Sequence, residues 1–361
     1  MKNKVLLRFL IASLVLVVYI FFAAEPTGKQ TFIQPLHISP ILPDESQVNI
    51  PQNTDDVFPF VSGLAFGYYN KAGDIVFAKA QKDNFSISDS FWAQYQAIPI
   101  RSETPPPPIQ CFSPQGTALF SLPVSGLVHF RKDRIFEFLP SGNSVAEYSV
   151  QGELLWVYSV SGVITAFDCN EDLVVIGTSD GNITCLNSDG TEKISFYPGG
   201  SEYEVIYGVS LSKDGKYLAC LCGLQRQRLL LVEIADYHKP VFHTFLDASL
   251  QRQATLFFDT TSRYLFLETG DGLVILRCVD SLFVVTGIQG KLMSTNLDSS
   301  TGILTVLTQE GGKATISFFD LNCKKVGSEQ FDCISSSLSQ VEDYYYLVLD
   351  EKLLRFTVTK Q

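Results

Sequence analysis

The chain has 361 residues, 46% of them hydrophobic and 18% charged, and its formal net charge is −11. This composition provides enough apolar side chains for a large core and excludes global disorder. Three cations and no acidic residue precede residue 25, so the remainder carries 24 cations against 38 acidic residues, a net charge of −14 that argues against nucleic-acid binding.

Residues 5–24 form a run of 20 residues that is apolar at all but three positions. A helix of that length crosses a bilayer core of about 30 Å. Because Lys2, Lys4 and Arg8 supply cations before and at the start of the run, we predict a signal-anchor in residues 1–24, with the rest of the chain outside the cytoplasm. The predicted protein is a single-pass protein of the inner (cytoplasmic) membrane with a periplasmic domain. A cleaved signal peptide and a buried core helix are the alternatives, and Phe22 at the −3 position of a cut after Ala24 disfavours cleavage.

Residues 25–56 contain five prolines and few long apolar runs, which predicts an extended tether. Beyond the tether no helical periodicity is visible. Instead, short runs rich in β-forming residues end at Gly, Asn, Asp or Ser turns, which predicts an all-β domain over residues 57–361.

The β-rich runs repeat in groups of four. Six hairpins recur, each of which would form the outer half of a module: residues 110–122, 146–160, 183–197, 229–246, 273–287 and 314–331. A seventh module begins at Ser335 and stops after its third strand, residues 353–358. Val57–Val61 ends in the same Val-Ser-Gly triplet as two later fourth strands, so we predict that it pairs with the last module. The expected fold is a seven-bladed β-propeller of four-stranded blades in which this pairing hides two sheet edges.

Three of these modules resemble known propeller repeats. Residues 173–191 are similar to the repeat of quinoprotein-type (PQQ-like) propellers, and residues 151–156 are similar to that family's Gly-x-x-x-Trp ending. Residues 209–219 resemble the Ser-x-Asp-Gly-Lys-Tyr-Leu-Ala turn of WD-repeat propellers. The resemblance implies a propeller fold, to which residues 1–24 add the predicted membrane anchor. For a quinoprotein enzyme it would also imply a quinone and calcium held over the axis, but the family's docking tryptophans are reduced here to Trp92 and Trp156.

Eight cysteines outside the cytosol would ordinarily suggest disulfide bonds. Their positions argue against a dense framework. Cys220 and Cys222 point to the same face of one strand, and Cys323 and Cys333 lie at opposite ends of another. The other cysteines lie inside apolar strand patterns. We therefore predict buried free thiols that pack as small hydrophobic side chains.

Catalytic and metal-binding patterns are weak in this sequence. Its Asp-Gly pairs are single acids in tight turns rather than calcium loops, and no histidine accompanies a Gly-x-Ser-x-Gly elbow. We predict a protein that is not an enzyme and needs no cofactor or metal. The expected role is a protein-binding scaffold of the cell envelope, similar in fold to the propeller subunit of the outer-membrane β-barrel assembly machinery. The alternative is a small-ligand sensor or enzyme that uses the central funnel.

A partner site is predicted in the first module, where residues 81–108 read as a long insertion between a second and a third strand. The insertion contains four aromatic residues suited to an interface, Phe85, Phe91, Trp92 and Tyr95. The equivalent loop of the fourth module places Arg226 and Arg228 on the same face. Two alternatives remain: the aromatic residues fold back onto the first blade, or the insertion is disordered.

Overall fold

The computed structural model describes Ser13 and residues 31–42, 56–96, 107–124, 126–200 and 204–360. Within these residues, 31 β-strands form eight antiparallel sheets, and a single 3₁₀ turn covers Ile234–Asp236. First strands of neighbouring sheets contact one another around a central axis, so each sheet is one blade of a ring. The fold is an eight-bladed β-propeller, and the predicted count of seven is wrong.

The strands of the first four blades follow in chain order. Blade 1 consists of β2 (Val57–Val61), β3 (Ala65–Asn70) and β4 (Ile75–Ala80). Blade 2 consists of β5 (Asn84–Ile87), β6 (Trp92–Tyr95), β7 (Ile109–Phe112) and β8 (Ala118–Leu122). Blade 3 consists of β9 (Leu127–Arg131), β10 (Arg134–Phe138), β11 (Ser144–Tyr148) and β12 (Leu154–Ser159). Blade 4 consists of β13 (Ile164–Cys169), β14 (Leu173–Thr178), β15 (Ile183–Asn187) and β16 (Glu192–Phe196).

The remaining strands complete the ring. Blade 5 consists of β17 (Ile206–Leu211), β18 (Tyr217–Cys222), β19 (Arg228–Glu233) and β20 (Pro240–Phe245). Blade 6 consists of β21 (Leu256–Phe258), β22 (Tyr264–Thr269), β23 (Gly272–Arg277) and β24 (Leu282–Val285). Blade 7 consists of β25 (Lys291–Asp298), β26 (Ile303–Glu310), β27 (Lys313–Phe319) and β28 (Lys325–Asp332). Blade 8 consists of β29 (Ser336–Val341), β30 (Tyr344–Leu349), β31 (Lys352–Lys360) and the N-terminal β1 (Thr31–Pro40).

The hydrophobic pattern explains the order of strands within a blade. Second strands such as β14 and β22 are buried along their whole length, because both faces of the sheet pack against neighbouring blades. Their sequences are accordingly continuous apolar runs rather than alternating ones. Outer strands such as β16 and β28 are largely exposed and polar. The core is therefore a ring of clusters, each lying between two adjacent blades.

The ring is closed by β1, not by Val57–Val61 as predicted. β1 pairs antiparallel with β31 in nine residue pairs, from Thr31 opposite Lys360 to Pro40 opposite Lys352. Part of the predicted tether is thus the fourth strand of blade 8. The prolines that suggested a tether are tolerated because β1 is an edge strand, whose outer N–H groups need no partner, and a register shift follows Pro35.

Val57–Val61 belongs to blade 1, which has three strands among the described residues. Val61 accepts a hydrogen bond from Ser337, near the start of β29, at 3.1 Å. Lys71, just after β3, pairs with Glu342, just after β29, at 3.0 Å. β2 therefore runs opposite to β29, which is the direction of a fourth strand. Among the described residues, however, β2 pairs with β3 alone.

Two further predictions were tested by the structure. The six outer hairpins are present in blades 2 to 7. All eight cysteines are buried and free, as predicted, and burial raises the pKa of the Cys111 thiol to about 12. The predicted anchor, residues 5–24, lies outside the described residues except for Ser13, which is helical. In the part of the chain that is described, no helix has the length and apolar character needed to cross a membrane.

Candidate functional site

Most outer strands carry residues that discourage pairing with another chain. A charged side chain or a proline at a sheet edge blocks the addition of a further strand. Four outer strands contain such residues, namely β1 with Pro35 and Pro40, β16 with Glu192 and Lys193, β20 with Pro240, and β28 with Lys325, Glu329 and Asp332.

The outer strands of blades 2 and 3 differ, since neither β8 nor β12 contains a charged residue or a proline. Instead they expose apolar side chains. Leu119 on β8 is 50% exposed, and on β12 Leu154, Leu155 and Val157 are 54%, 57% and 49% exposed. We call these four residues the apolar rim. β24 is also uncharged, but it has four residues and a single largely exposed one, Val285.

Close packing joins the two strands into one surface. The turn before β12 contains Gly152 at a φ of +83°, and a Cβ atom there would lie 2.7 Å from the carbonyl oxygen of Ser121 on β8. Only glycine allows this approach. On the other side, the indole N–H of Trp156 donates to the carbonyl of Ser188 in blade 4 at 3.1 Å. Trp156 is thereby held against the next blade, while its neighbours Leu155 and Val157 remain exposed.

The aromatic residues predicted to bind a partner lie in blade 2. Residues 84–87 and 92–95 are strands β5 and β6, so the predicted insertion consists in part of the first half of a blade. Phe91 and Trp92 are 2% and 4% exposed, so neither side chain is available to a partner in the folded state. Phe85 stacks on Phe66 of blade 1 at 4.7 Å, and the hydroxyl of Tyr95 accepts a hydrogen bond from Val128 N. Phe85 and Trp92 thus pack toward blade 1, as in one of the alternatives, whereas Phe91 and Tyr95 contact blade 3.

The two predicted arginines follow the second strand of blade 5 as expected. Arg228 is half-buried and donates to the carbonyl oxygen of Pro198 at 3.0 Å, which ties it to the preceding connection. Arg226 is exposed, and its guanidinium lies 4.2 Å from the ring of Phe245. Of the six predicted residues, Arg226 alone is exposed, so the set does not form one accessible surface. Binding of a partner there stays a prediction.

A second feature is a cavity of about 500 Å³ on the propeller axis. Its wall is formed by inner strands β9, β13 and β17, the region around β21, and the start of β25. Apolar parts of the wall include Phe167, Val209 and Leu256. The cavity also contains charged groups that sequence reasoning missed. No sequence pattern indicates this cluster, because the charged residues belong to separate blades and meet only in the folded ring.

The charged groups in the cavity are mostly cations: Arg131, Arg252 and Lys291. Among the described lining residues the only acid is Asp168, whose carboxylate lies 4.0 Å from Arg131. Asp168 also accepts hydrogen bonds from Leu211 N at 2.9 Å and from Ser210 Oγ at 3.2 Å. Burial nevertheless raises the pKa of Asp168 above its usual value. No group of three or more His, Cys, Asp or Glu side chains within the described ranges is arranged to hold a metal ion.

Comparison with known proteins agrees with this architecture. A family model described as a β-propeller protein matches residues 1–361. The chain belongs to this β-propeller family. An uncharacterized protein of Treponema pallidum (strain Nichols) is 33% identical over 355 residues, which cover 96% of this chain and 92% of that relative.

Solved structures share the propeller fold at low sequence identity. BamB from Moraxella catarrhalis has a TM-score of 0.59 at 12% identity, covering 90% of this chain and 100% of that chain. The computationally designed Ika8 protein has the same TM-score at 14% identity, covering 90% of this chain and 99% of that chain. At such identities the similarity establishes the fold alone.

Proposed function

We propose that this propeller is a non-catalytic protein-binding scaffold of the cell envelope and that its partner docks on the apolar rim. The observation that carries the proposal is the contrast between β12 and the other outer strands. Four of those strands carry charges or prolines, whereas β12 exposes Leu154, Leu155 and Val157 on an uncharged edge. Such contiguous exposed apolar side chains characterise binding surfaces.

The partner we propose is an extended apolar segment of another protein. β12 pairs with β11 on one side and has no second strand beside it among the described residues, so its outer backbone groups are open to pairing. An added strand would form main-chain hydrogen bonds with β12, and its side chains would cover the rim. Burying the exposed part of each rim side chain contributes roughly 1 kcal/mol. Apolar contact alone is therefore weak, and the main-chain hydrogen bonds are needed for stable binding.

Location in the envelope rests on the N-terminal sequence. Lys2, Lys4 and Arg8 accompany the apolar run of residues 5–24, a combination typical of segments that direct a chain to the cytoplasmic membrane. We propose that the propeller lies on the outer side of that membrane. An uncleaved anchor and a cleaved signal both deliver the propeller to that side.

The proposal is tested by photo-crosslinking in intact cells that naturally produce the protein. A photoreactive residue at Leu155 is expected to give partner adducts, whereas one at Val285, which is 51% exposed on β24, is expected to give none. Replacing Leu155 and Val157 with Lys should remove the adducts, because charges at the edge block strand addition. The Val285→Lys variant is the matched control and should leave them intact.

Two further measurements complete the test. The free energy of unfolding of the Leu155→Lys/Val157→Lys variant should lie within about 1 kcal/mol of that of the natural chain, since both positions are exposed. Protease added to spheroplasts should digest the propeller. Adducts that persist in the double variant would refute docking on the rim, and a propeller that is digested only after cell lysis would refute the proposed location.

A further inference from the structure

The axial cavity concentrates positive charge in an acidic protein. The chain has a formal net charge of −11, yet the cavity lining contains three cations and, among described residues, one acid. The three cations come from blade 3, from the connection between blades 5 and 6, and from the start of blade 7. Three separate parts of the ring therefore supply cations to one cavity.

Two of the three cations lie beside carboxylates, one of them buried. Arg252 pairs with Glu268, which is 3% exposed and also accepts a hydrogen bond from Leu292 N at 3.3 Å. Arg131 lies beside Asp168, whose other hydrogen bonds come from the backbone and from Ser210. The carboxylates do not neutralise the cavity, because the side chains of Arg131 and Arg252 remain 57% and 50% exposed. Lys291 adds an exposed ammonium group.

Size and lining restrict the ligand further. A volume of about 500 Å³ lies within the range of small-molecule sites, which combine apolar walls with a few polar groups. Here the walls include Phe167, Leu256 and Phe257, and neutral donors include Gln253 and Thr255. Such a lining favours an organic molecule with an apolar body over a bare inorganic ion.

We propose that the cavity binds a small organic anion carrying at least two negative charges on carboxylate or phosphate groups. The two guanidinium groups recognise these oxygens by paired hydrogen bonds, and Lys291 adds a point charge. The site is independent of the apolar rim, because it lies on the axis and the rim lies on the outer strands.

The test is calorimetric titration of the full-length protein with two probes. Benzene-1,3,5-tricarboxylate represents carboxylates and phenyl phosphate represents phosphates, with benzyl alcohol as the neutral control. At least one anionic probe is expected to bind saturably, more weakly at high salt, and benzyl alcohol is expected not to bind. The probe that binds more tightly identifies the ligand chemistry.

Variants locate the site. The Arg131→Gln/Lys291→Gln variant should bind the probe at least about tenfold more weakly. Arg252 is kept, because its removal would leave Glu268 buried without a cation. The Lys324→Gln/Lys325→Gln variant removes two exposed charges from blade 7 and is expected to bind as the natural chain does.

Histidine NMR provides a readout independent of affinity. The chain has four histidines, and His129 is the one that lines the cavity, with its ring 6.0 Å from that of Phe167. Its signals should shift on binding, whereas those of His238 and His243 should not. Failure of both anions to bind, equal weakening by the two double variants, or unchanged His129 signals at saturation would each overturn the proposal.

Discussion

A chain that begins at residue 43, and so lacks β1, is expected to lose its cooperative unfolding transition. β1 supplies nine residue pairs to blade 8. If each pair contributes one backbone hydrogen bond with a net value of about 0.5–1.5 kcal/mol, the strand contributes several kcal/mol. This is comparable to the total stability of a typical domain, about 5–15 kcal/mol. Removing β1 also exposes the edge of β31 and invites aggregation.

The measurement is denaturant unfolding followed by circular dichroism, with size-exclusion chromatography to detect aggregation. A chain that begins at residue 29 is the matched control, because it lacks the apolar segment but keeps Thr31–Pro40. This control is expected to unfold in one cooperative transition. If the shorter chain unfolds at the same midpoint as the control, β1 does not close the ring.

Replacing Trp92 with Ala is expected to lower the free energy of unfolding by about 3–5 kcal/mol, the usual cost of removing a large buried aromatic side chain. Trp92 is 4% exposed and stacks on Phe112 at 4.6 Å and on Phe77 at 5.1 Å. The contact with Phe77 joins blade 2 to blade 1, whereas the contact with Phe112 lies within blade 2. Removing the indole ring therefore weakens packing between the two blades as well as packing within blade 2.

Two variants serve as controls for Trp92. Trp92→Phe should be much less destabilising, because it keeps a stacked ring and removes an indole N–H that is buried without a partner in the described residues. Arg226→Ala should change stability by less than about 1 kcal/mol, since it removes one exposed cation–π contact with Phe245. The free energies come from denaturant titration. A Trp92→Ala variant as stable as Arg226→Ala would contradict the buried position.

The sequence was sufficient to predict the propeller and most of its blades. Blades 3 to 7 were predictable because their hairpins have Gly or Asp turns and their second strands are long apolar runs, as in Leu173–Thr178. The pattern fails where strands are short. β5 and β6 have four residues each, so the sequence pattern predicts a loop where the structure has the first half of blade 2. β1 was missed because Pro35 and Pro40 are typical of tethers.

The candidate sites were less predictable than the fold. Leu154, Leu155 and Val157 are adjacent in the sequence, but the unusual character of their strand emerges only from comparison with the other outer strands. The axial cavity has no sequence signature, because Arg131, Arg252 and Lys291 are far apart in the chain and meet through closure of the ring. The aromatic segment predicts an interface, but Phe91 and Trp92 are buried by contacts with neighbouring blades that the sequence does not reveal.

The central claim is that an eight-bladed ring is closed by β1, and disulfide trapping tests it most directly. Gln34 and Thr357 lie opposite each other in the pairing of β1 with β31, at the separation that a disulfide bond requires. With Cys at both positions, oxidation followed by mass spectrometry should recover the linked peptides in nearly all molecules. The Pro59→Cys/Thr357→Cys variant, which represents closure by Val57–Val61, should yield none. Linkage of residues 59 and 357 without linkage of residues 34 and 357 would contradict the eight-bladed closure.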